Sequence, residues 1–472
     1  MNSPKLLIIG GGPAGMNAAI EAAEQGVHSC IVDEGTELGG QIFRNSHPRA
    51  RKSSPQLINP RGDELRSRVA ELSHLIEVRS GSMVWGMSGK NRVAIGKEGV
   101  GTEFIEPKAM IIATGAYEYT PPFSGWTLPG VMTPGSAQIL TKTMNVMPGK
   151  RVVVAGTGPL LYVVASQLVQ KGVDVVEVIE ATQRMAWARF ILTGWRAWDM
   201  YKEGLRYVAI LKKAGVPIRY GRIVTRAEGD DELQRIYHAP VDTEWNPDTQ
   251  RELCTEVDTL CIGYGLQSRN YLAQMAGCDI DFDENAGGWV PVRDENLCTS
   301  RPDIFAVGDS AGVAGSRIAE LEGRLAGLNA AALIKKIDAR LLQKHRKEIL
   351  SPLNKIGSIQ KLIAHITRVR PGLMTLVNTD TIVCRCEEVR WQEVKQAIEY
   401  GGHDFRTIKV MTRLGMGMCQ GRFCWPAMSR MVAKETGCKI SEVGPARPRP
   451  PIRPVPMNVI AGTGDTSIKA VE

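Results

Sequence analysis

Short, unbroken apolar runs alternate along the chain with longer stretches whose apolar residues recur at helical spacing. The runs LLII (6–9), AMII (109–112), RVVVAG (151–156) and DIFAVG (303–308) have the length and composition of strands buried on both faces. Two of them open the same plan of strand, tight glycine turn, helix and second strand: LLIIGGGPAGMNAAIEAAEQGVHSCIVDEG (6–35) and RVVVAGTGPLLYVVASQLVQKGVDVVEVIEA (151–181). Helical patterns also cover 184–215, the stretch that begins ELEGRLAGLNAAALIKK and continues toward 370, and the amphipathic 387–400. Strands alternating with helices predict an α/β protein with parallel sheets.

The first glycine turn reads GxGxxG through Gly10, Gly12 and Gly15. The first glycine permits the turn, the second lets the backbone approach a pyrophosphate, and the third lets helix and strand pack closely. Pro13 and Ala14 open the helix, whose free amides face the phosphates. Asp33, followed by Glu34, closes the second strand where an acid accepts hydrogen bonds from a ribose. Dinucleotide binding is the expectation here. The second turn carries Gly156, Gly158 and a terminal acid, Glu180, but Leu161 stands at the third glycine position and is expected to push the helix away from its strand. That pattern fits a working nucleotide site, and equally a retained structural domain that binds another nucleotide or nothing.

Length and charge narrow the class. A chain of 472 residues holds roughly three domains. No apolar run reaches the roughly 18 residues of a membrane span, and the N-terminus runs straight into a strand, so a cytoplasmic location is expected. The net charge of +8 is spread along a chain with 50 acidic residues, without a basic stripe or a reading motif, which argues against nucleic-acid binding. The tail ARPRPPIRPVP (446–456) is predicted to be an extended, exposed segment with no core of its own. HPRARKSSPQ (47–56) reads as a solvated polar loop, and Trp187, Trp195 and Trp198 form an aromatic group suited to core packing or to a subunit contact.

Ten cysteines are expected to be reduced or metal-bound. Four of them form two tight pairs: Cys384 with Cys386, and Cys419 with Cys424. Two thiolate pairs suit a tetrahedral zinc or a [2Fe-2S] cluster. A CxC pair followed by a helix is poorly shaped for one ion, whereas two irons tolerate a wider spread of sulfurs. Gly415, Gly417 and Gly421 let the backbone fold closely around a bulky inorganic core, and helix starts after Cys386 and near Cys424 would aim amides at it. No acid, base or nucleophile in the chain stands out as acting on a substrate.

The strand endings ATG (Ala113, Thr114, Gly115) and GD (Gly308, Asp309), together with the first turn, resemble the two-dinucleotide-binding-domain flavoproteins, the glutathione and thioredoxin reductase-like family. The resemblance implies FAD held by the first turn, by Ala113 to Gly115, by Gly308 and Asp309, and by the GGQIFR loop through Gly40, Gln41 and Arg44. It also implies NAD(P)H on the inserted second unit, with Glu180 favouring NAD. The dithiol that disulfide reductases keep beside the flavin is missing, so electrons need another exit. CRCEEV and GMGMCQGRFC resemble the bacterioferritin-associated ferredoxin type of [2Fe-2S] domain, although the second pair here is spaced by four residues instead of two.

The combination resembles the large flavin and iron-sulfur subunit of heteromeric dye-linked dehydrogenases, among them opine oxidases, proline and hydroxyproline dehydrogenases and hydrogen cyanide synthase. That resemblance implies an amino-acid-oxidase-type (beta-type) flavoprotein partner that oxidises a C–N bond. It further implies a small ferredoxin-like subunit, and a quinone or other acceptor reached from the cytoplasmic side, peripheral to the inner membrane. A stand-alone NAD(P)H-dependent reductase is the alternative. The expected organisation is a first FAD part (1–145), an inserted domain with the tryptophan-rich region (146–257), a second FAD part (258–335), a helical linker (336–376), a [2Fe-2S] domain (377–442) and a proline-rich tail (443–472).

Overall fold

The computed structural model describes residues 4–45, 59–89, 91–193 and 198–461. The predicted strands assemble into two parallel sheets. The first has the order Ile304–Ala306, Ala109–Ile112, Leu6–Ile9, Ser29–Asp33, Ile76–Ser80, with Leu6 opposite Ala109 on one side and Ser29 on the other. Leu6–Ile9 and Ala109–Ile112 are buried along their whole length, which is why they carry no polar alternation.

The second sheet has the order Ile218–Tyr220, Asp174–Glu180, Arg151–Gly156, Thr259–Gly263, Val131–Met132. Two of its strands fall outside the expected 146–257 limits. TLCIG is apolar throughout and pairs with Val152 to Gly156, so it completes the inserted unit. Antiparallel three-stranded sheets at Ser82–Ser88, Arg92–Lys97, Gly101–Ile105 and at Arg222–Glu228, Arg235–Pro240, Leu253–Glu256 flank the two units.

Helix Pro13–Glu24 lies against helix Ser316–Ile334 at almost backbone contact. A Cβ on Gly323 would stand 2.1 Å from the Ala14 carbonyl oxygen, and one on Gly327 would stand 2.4 Å from that of Ala18. The long helix Ala339–Thr367 follows, and none of the described helices is long and apolar enough to cross a membrane. The tryptophan-rich region forms helices Arg184–Thr193 and Trp198–Lys213. Trp195 and the 47–56 loop lie outside the described residues.

The cysteine-bearing region does not fold apart from the rest. Its Val383, Trp391, Phe405, Ile408 and Trp425 share one core with Tyr119, Phe123, Trp245 and Leu373 of the preceding units. Trp126 Nε1 donates to the Ile382 carbonyl at 2.7 Å across that boundary. Cys384 ends a strand, Ile382–Cys384, that pairs with Val389–Arg390, and the following helix is Trp391–Glu399, so it starts after this hairpin and not directly after Cys386 as the pattern suggests.

The tail also departs from expectation. Ile452 and Val459 are buried, the Ile452 amide donates to the Trp85 carbonyl at 2.8 Å, and helix Met457–Ala461 packs on Arg92–Lys97 and Gly101–Ile105. Its few apolar residues find a groove on the first unit, which composition alone does not reveal. Replacing Gly323 by Ala is expected to destabilise the protein by about 1–3 kcal/mol, because the added methyl meets a carbonyl and not a movable side chain. Thermal unfolding, with flavin content read from the visible spectrum, checks this.

Candidate functional site

Gly10 has φ +108°, and a Cβ there would stand 2.3 Å from the Ala113 carbonyl oxygen. A Cβ on Gly15 would stand 1.8 Å from the Gly10 oxygen, so the third glycine is a packing residue. Gly12 differs: the nearest atom to a Cβ built on it is Gly40 Cα at 3.8 Å, which leaves room above the turn for a ligand. The two Asp33 carboxylate oxygens accept from the Gly11 amide at 2.5 Å and the Gly35 amide at 2.7 Å and fix the turn's shape. Asp309 accepts from the amides of Ala314 and Gly315 at 3.0 Å, and burial lifts its carboxyl above the usual carboxylate range. The Gly308 amide donates to Glu322 at 2.8 Å, and Glu322 is itself held by Arg293 at 2.7 Å.

These residues border a cavity of about 2120 Å³. Every residue expected at the flavin lines it except Gly15. Ordinary small-ligand pockets span about 300–1,000 Å³, so the space exceeds a compact ligand and suits an extended dinucleotide. The helix N-terminus at Pro13, the free space over Gly12 and the acid at the strand end fit FAD.

The cavity continues past Tyr117 to Arg422, Phe423 and all four paired cysteines. Cys384, Cys419 and Cys424 are buried and Cys386 is exposed. The thiols are linked in a chain: Cys424 is hydrogen-bonded to both Cys384 and Cys419, and Cys419 to Cys386. Hydrogen bonding with Cys384 and Cys419, together with burial, raises the pKa of Cys424, and the same contacts lower Cys384 to about 6 and lower Cys419 as well. Gly417 permits the close turn, since a Cβ there would stand 2.3 Å from Cys386 Cβ. Cys424 sits at the N-cap of helix Trp425–Thr436, whose positive end faces the thiols. Among the described residues no three His, Cys, Asp or Glu side chains converge as they would on one metal ion.

Four residues at this junction lie outside the set expected from the sequence. Arg269 stacks on the Tyr117 ring at 4.1 Å, and Tyr117 in turn lies 5.9 Å from the Phe423 ring. Arg422 is buried and donates through Nε to the Cys419 carbonyl at 2.8 Å, bracing the cysteine loop. The one signal available was the adjacency of Arg422 and Phe423 to Cys424.

The second turn has a different neighbourhood. Gly156, Gly158 and Glu180 do not border the large cavity. Glu180 has 0% exposure and accepts from Thr157 Oγ1 at 2.9 Å, the Thr182 amide at 3.0 Å, the Gly158 amide at 3.3 Å and Tyr162 OH at 3.2 Å. Trp187 packs edge-on against Tyr162. The last turn of helix Ala339–Thr367 lies over the glycines: Thr367 Cγ2 is 3.9 Å from a Cβ built on Gly158, and the Ile366 carbonyl accepts from Thr182 Oγ1 at 3.4 Å. Leu161 is buried in the core with Val152 and Val154, so the bulk in place of the third glycine fills the interior between helix and sheet.

Fold and site together define an FAD-dependent oxidoreductase built on two dinucleotide-binding units. The chain belongs to the pyridine nucleotide-disulphide oxidoreductase family, whose sequence pattern matches residues 4–331, and residues 379–463 match the sarcosine oxidase A3 domain. It is 34% identical over 468 residues to hydrogen cyanide synthase subunit HcnB of Pseudomonas protegens, covering 96% of both chains. It is 32% identical over 483 residues to an opine oxidase subunit of Agrobacterium tumefaciens, covering 99% of this chain and 93% of the other. The L-proline dehydrogenase of P. horikoshii shares the fold, with a TM-score of 0.68 and 22% identity over 98% of this chain and 79% of that one.

Burial pushes the Glu180 carboxyl up to about 7, against the lowering by its donors. A carboxyl that keeps its proton to higher pH when folded than when unfolded contributes stability that is fully present below pH 4.5 and declines as pH rises to about 7. Glu180→Gln is therefore expected to flatten the fall in unfolding free energy across that window while flavin content stays constant. Chemical denaturation at a series of pH values measures it; an unchanged slope would contradict the buried neutral acid.

Proposed function

We propose that this chain is the FAD- and [2Fe-2S]-bearing subunit of a heteromeric dehydrogenase acting on a C–N bond of an amino acid, imino acid or opine. The observation that carries the reading is the single cavity that joins the first glycine turn to all four paired cysteines. In this reading an amino-acid-oxidase-type flavoprotein partner removes two electrons and two protons from the substrate amine, leaving an imine. The two electrons pass through this subunit to a quinone or other acceptor, with a small ferredoxin-like subunit completing the complex. With a quinone as acceptor, the complex would work at the cytoplasmic side of the inner membrane as a peripheral assembly. FAD supplies a two-electron store and the cluster a one-electron outlet.

The chain's own residues prepare both places. Gly12 and the helix N-terminus at Pro13 receive the pyrophosphate, and Asp33, Glu34 and Asp309 border the ribose and ribityl segments. Cys384, Cys386, Cys419 and Cys424 supply four sulfurs linked in a chain that would hold two irons as thiolates, and the Cys424 helix would offset their charge. The names of the relatives support the reading, because both are subunits of larger enzymes and one of these is an opine oxidase.

The alternative, a reductase fed by NAD(P)H, needs an open second turn. Sealed Glu180, and the absence of Gly156 and Gly158 from the lining of the large cavity, count against it. Anaerobic NADH at millimolar concentration is therefore expected to leave the flavin oxidised, and rapid bleaching would favour the alternative. Cys424→Ser is expected to remove iron, labile sulfide and the cluster absorbance while FAD stays bound. A colourless, zinc-containing protein after flavin removal from the unsubstituted chain would sink the cluster assignment.

A further inference from the structure

The segment after the cysteine region returns to the flavin crevice, and its position there has a chemical meaning. Leaving the cysteine loop, the chain is fixed by Gln420, whose side-chain amide donates to the Pro451 carbonyl at 2.7 Å. Ile452 then enters the core of the first unit beside Val84 and Met87, anchored by its amide on the Trp85 carbonyl at 2.8 Å. Arg453 forms an ion pair with Glu34, the residue that follows the acid at the end of the second strand, and its side chain is only 33% exposed. Further on, Thr102 Oγ1 donates to the Val459 carbonyl at 2.5 Å and holds the far end. Ile452, Arg453 and Pro454 border the same cavity as Asp33 and Glu34.

In a dinucleotide-binding unit the acid at the end of the second strand marks the ribose of the adenosine half, while the glycine turn marks the pyrophosphate. Three tail residues therefore stand where the adenosine lies. We propose that residues 452–454 form the outer wall of the FAD adenosine site, a binding element outside the two dinucleotide-binding units. Ile452 and Pro454 supply apolar surface for a purine face. Arg453, held by Glu34, presents a planar guanidinium suited to stacking on the ring or to hydrogen bonding with its nitrogens. Because Gln420 neighbours Cys419, the wall is tethered to the cysteine loop, so flavin retention depends on a chain segment that the loop positions. This goes beyond the electron-relay reading and stands whether or not a cluster is present.

The test compares FAD with FMN, which lacks the adenosine, on full-length chain freed of flavin. Wild type, Arg453→Ala, Arg453→Lys and a chain ending at Arg449 are titrated with each flavin by fluorescence quenching. Arg453→Ala is expected to weaken FAD about tenfold, the size of one charge-assisted contact, and to leave FMN affinity unchanged. Arg453→Lys, which keeps a cation for Glu34 without the planar guanidinium, is expected to recover only part of the loss. The shortened chain is expected to bring FAD affinity down toward that of FMN. If Arg453→Ala binds FAD as wild type does, or if FAD and FMN weaken equally in it, the adenosine wall is wrong and the tail serves the fold alone.

Discussion

Three backbone contacts that only glycine permits hold the flavin crevice together. The Ala113 carbonyl lies under Gly10, the Gly10 carbonyl under Gly15, and the Ala14 carbonyl under Gly323. Together they make the first turn, the ATG strand and the helix after the GD strand, segments remote in sequence, into one rigid body. A methyl at any of the three would meet a carbonyl fixed by its own strand or helix, leaving no cheap adjustment. The positions of Gly12, Asp33 and Asp309 follow from these contacts, and so does the shape of the cavity that reaches the cysteines.

The two glycine turns begin from nearly the same sequence and end in opposite states. Each gives a turn amide to its terminal acid: Gly11 to Asp33, and Gly158 to Glu180. What separates them is what lies above. The first turn borders the large cavity, whereas the second does not, and the end of the linker helix stands in van der Waals contact beside it, its terminal carbonyls carrying partial negative charge that disfavours a pyrophosphate. A family fingerprint therefore reports that a strand, turn and helix exist, and the ligand is decided by segments two hundred residues away.

That distinction explains how far the sequence could be read. The strands, both turns, the residues that border the cavity beside the first turn and the proximity of the cysteine pairs were legible, because each is encoded in a local pattern of apolar runs, glycines or thiols. The strand Thr259–Gly263 was assigned to the wrong unit, since its apolar run names a buried strand without naming its partner. The helix expected directly after Cys386 begins later, because Val389 and Arg390 pair back on Ile382–Cys384, a tertiary preference that helical periodicity cannot register. Arg422, Arg269 and the sealing of Glu180 depend on contacts between distant segments and left little local trace.

The tail is the sharpest case. Its prolines suppress regular structure, so composition describes a free strand, yet prolines also reduce the entropy lost when a chain is laid in one groove. Ile452 and Val459 then need only shallow apolar recesses to fix it, and Arg453 finds its partner in Glu34. The tail follows the cysteine region in the chain and is tied to it through Gln420, and that region in turn shares a core with the inserted unit. The first residues of the chain build the dinucleotide turn, and its last described residues close the crevice beside it. One hydrogen bond from Gln420 to the Pro451 carbonyl thus links the loop that carries Cys419 and Cys424 to the segment lining the cavity beside Glu34.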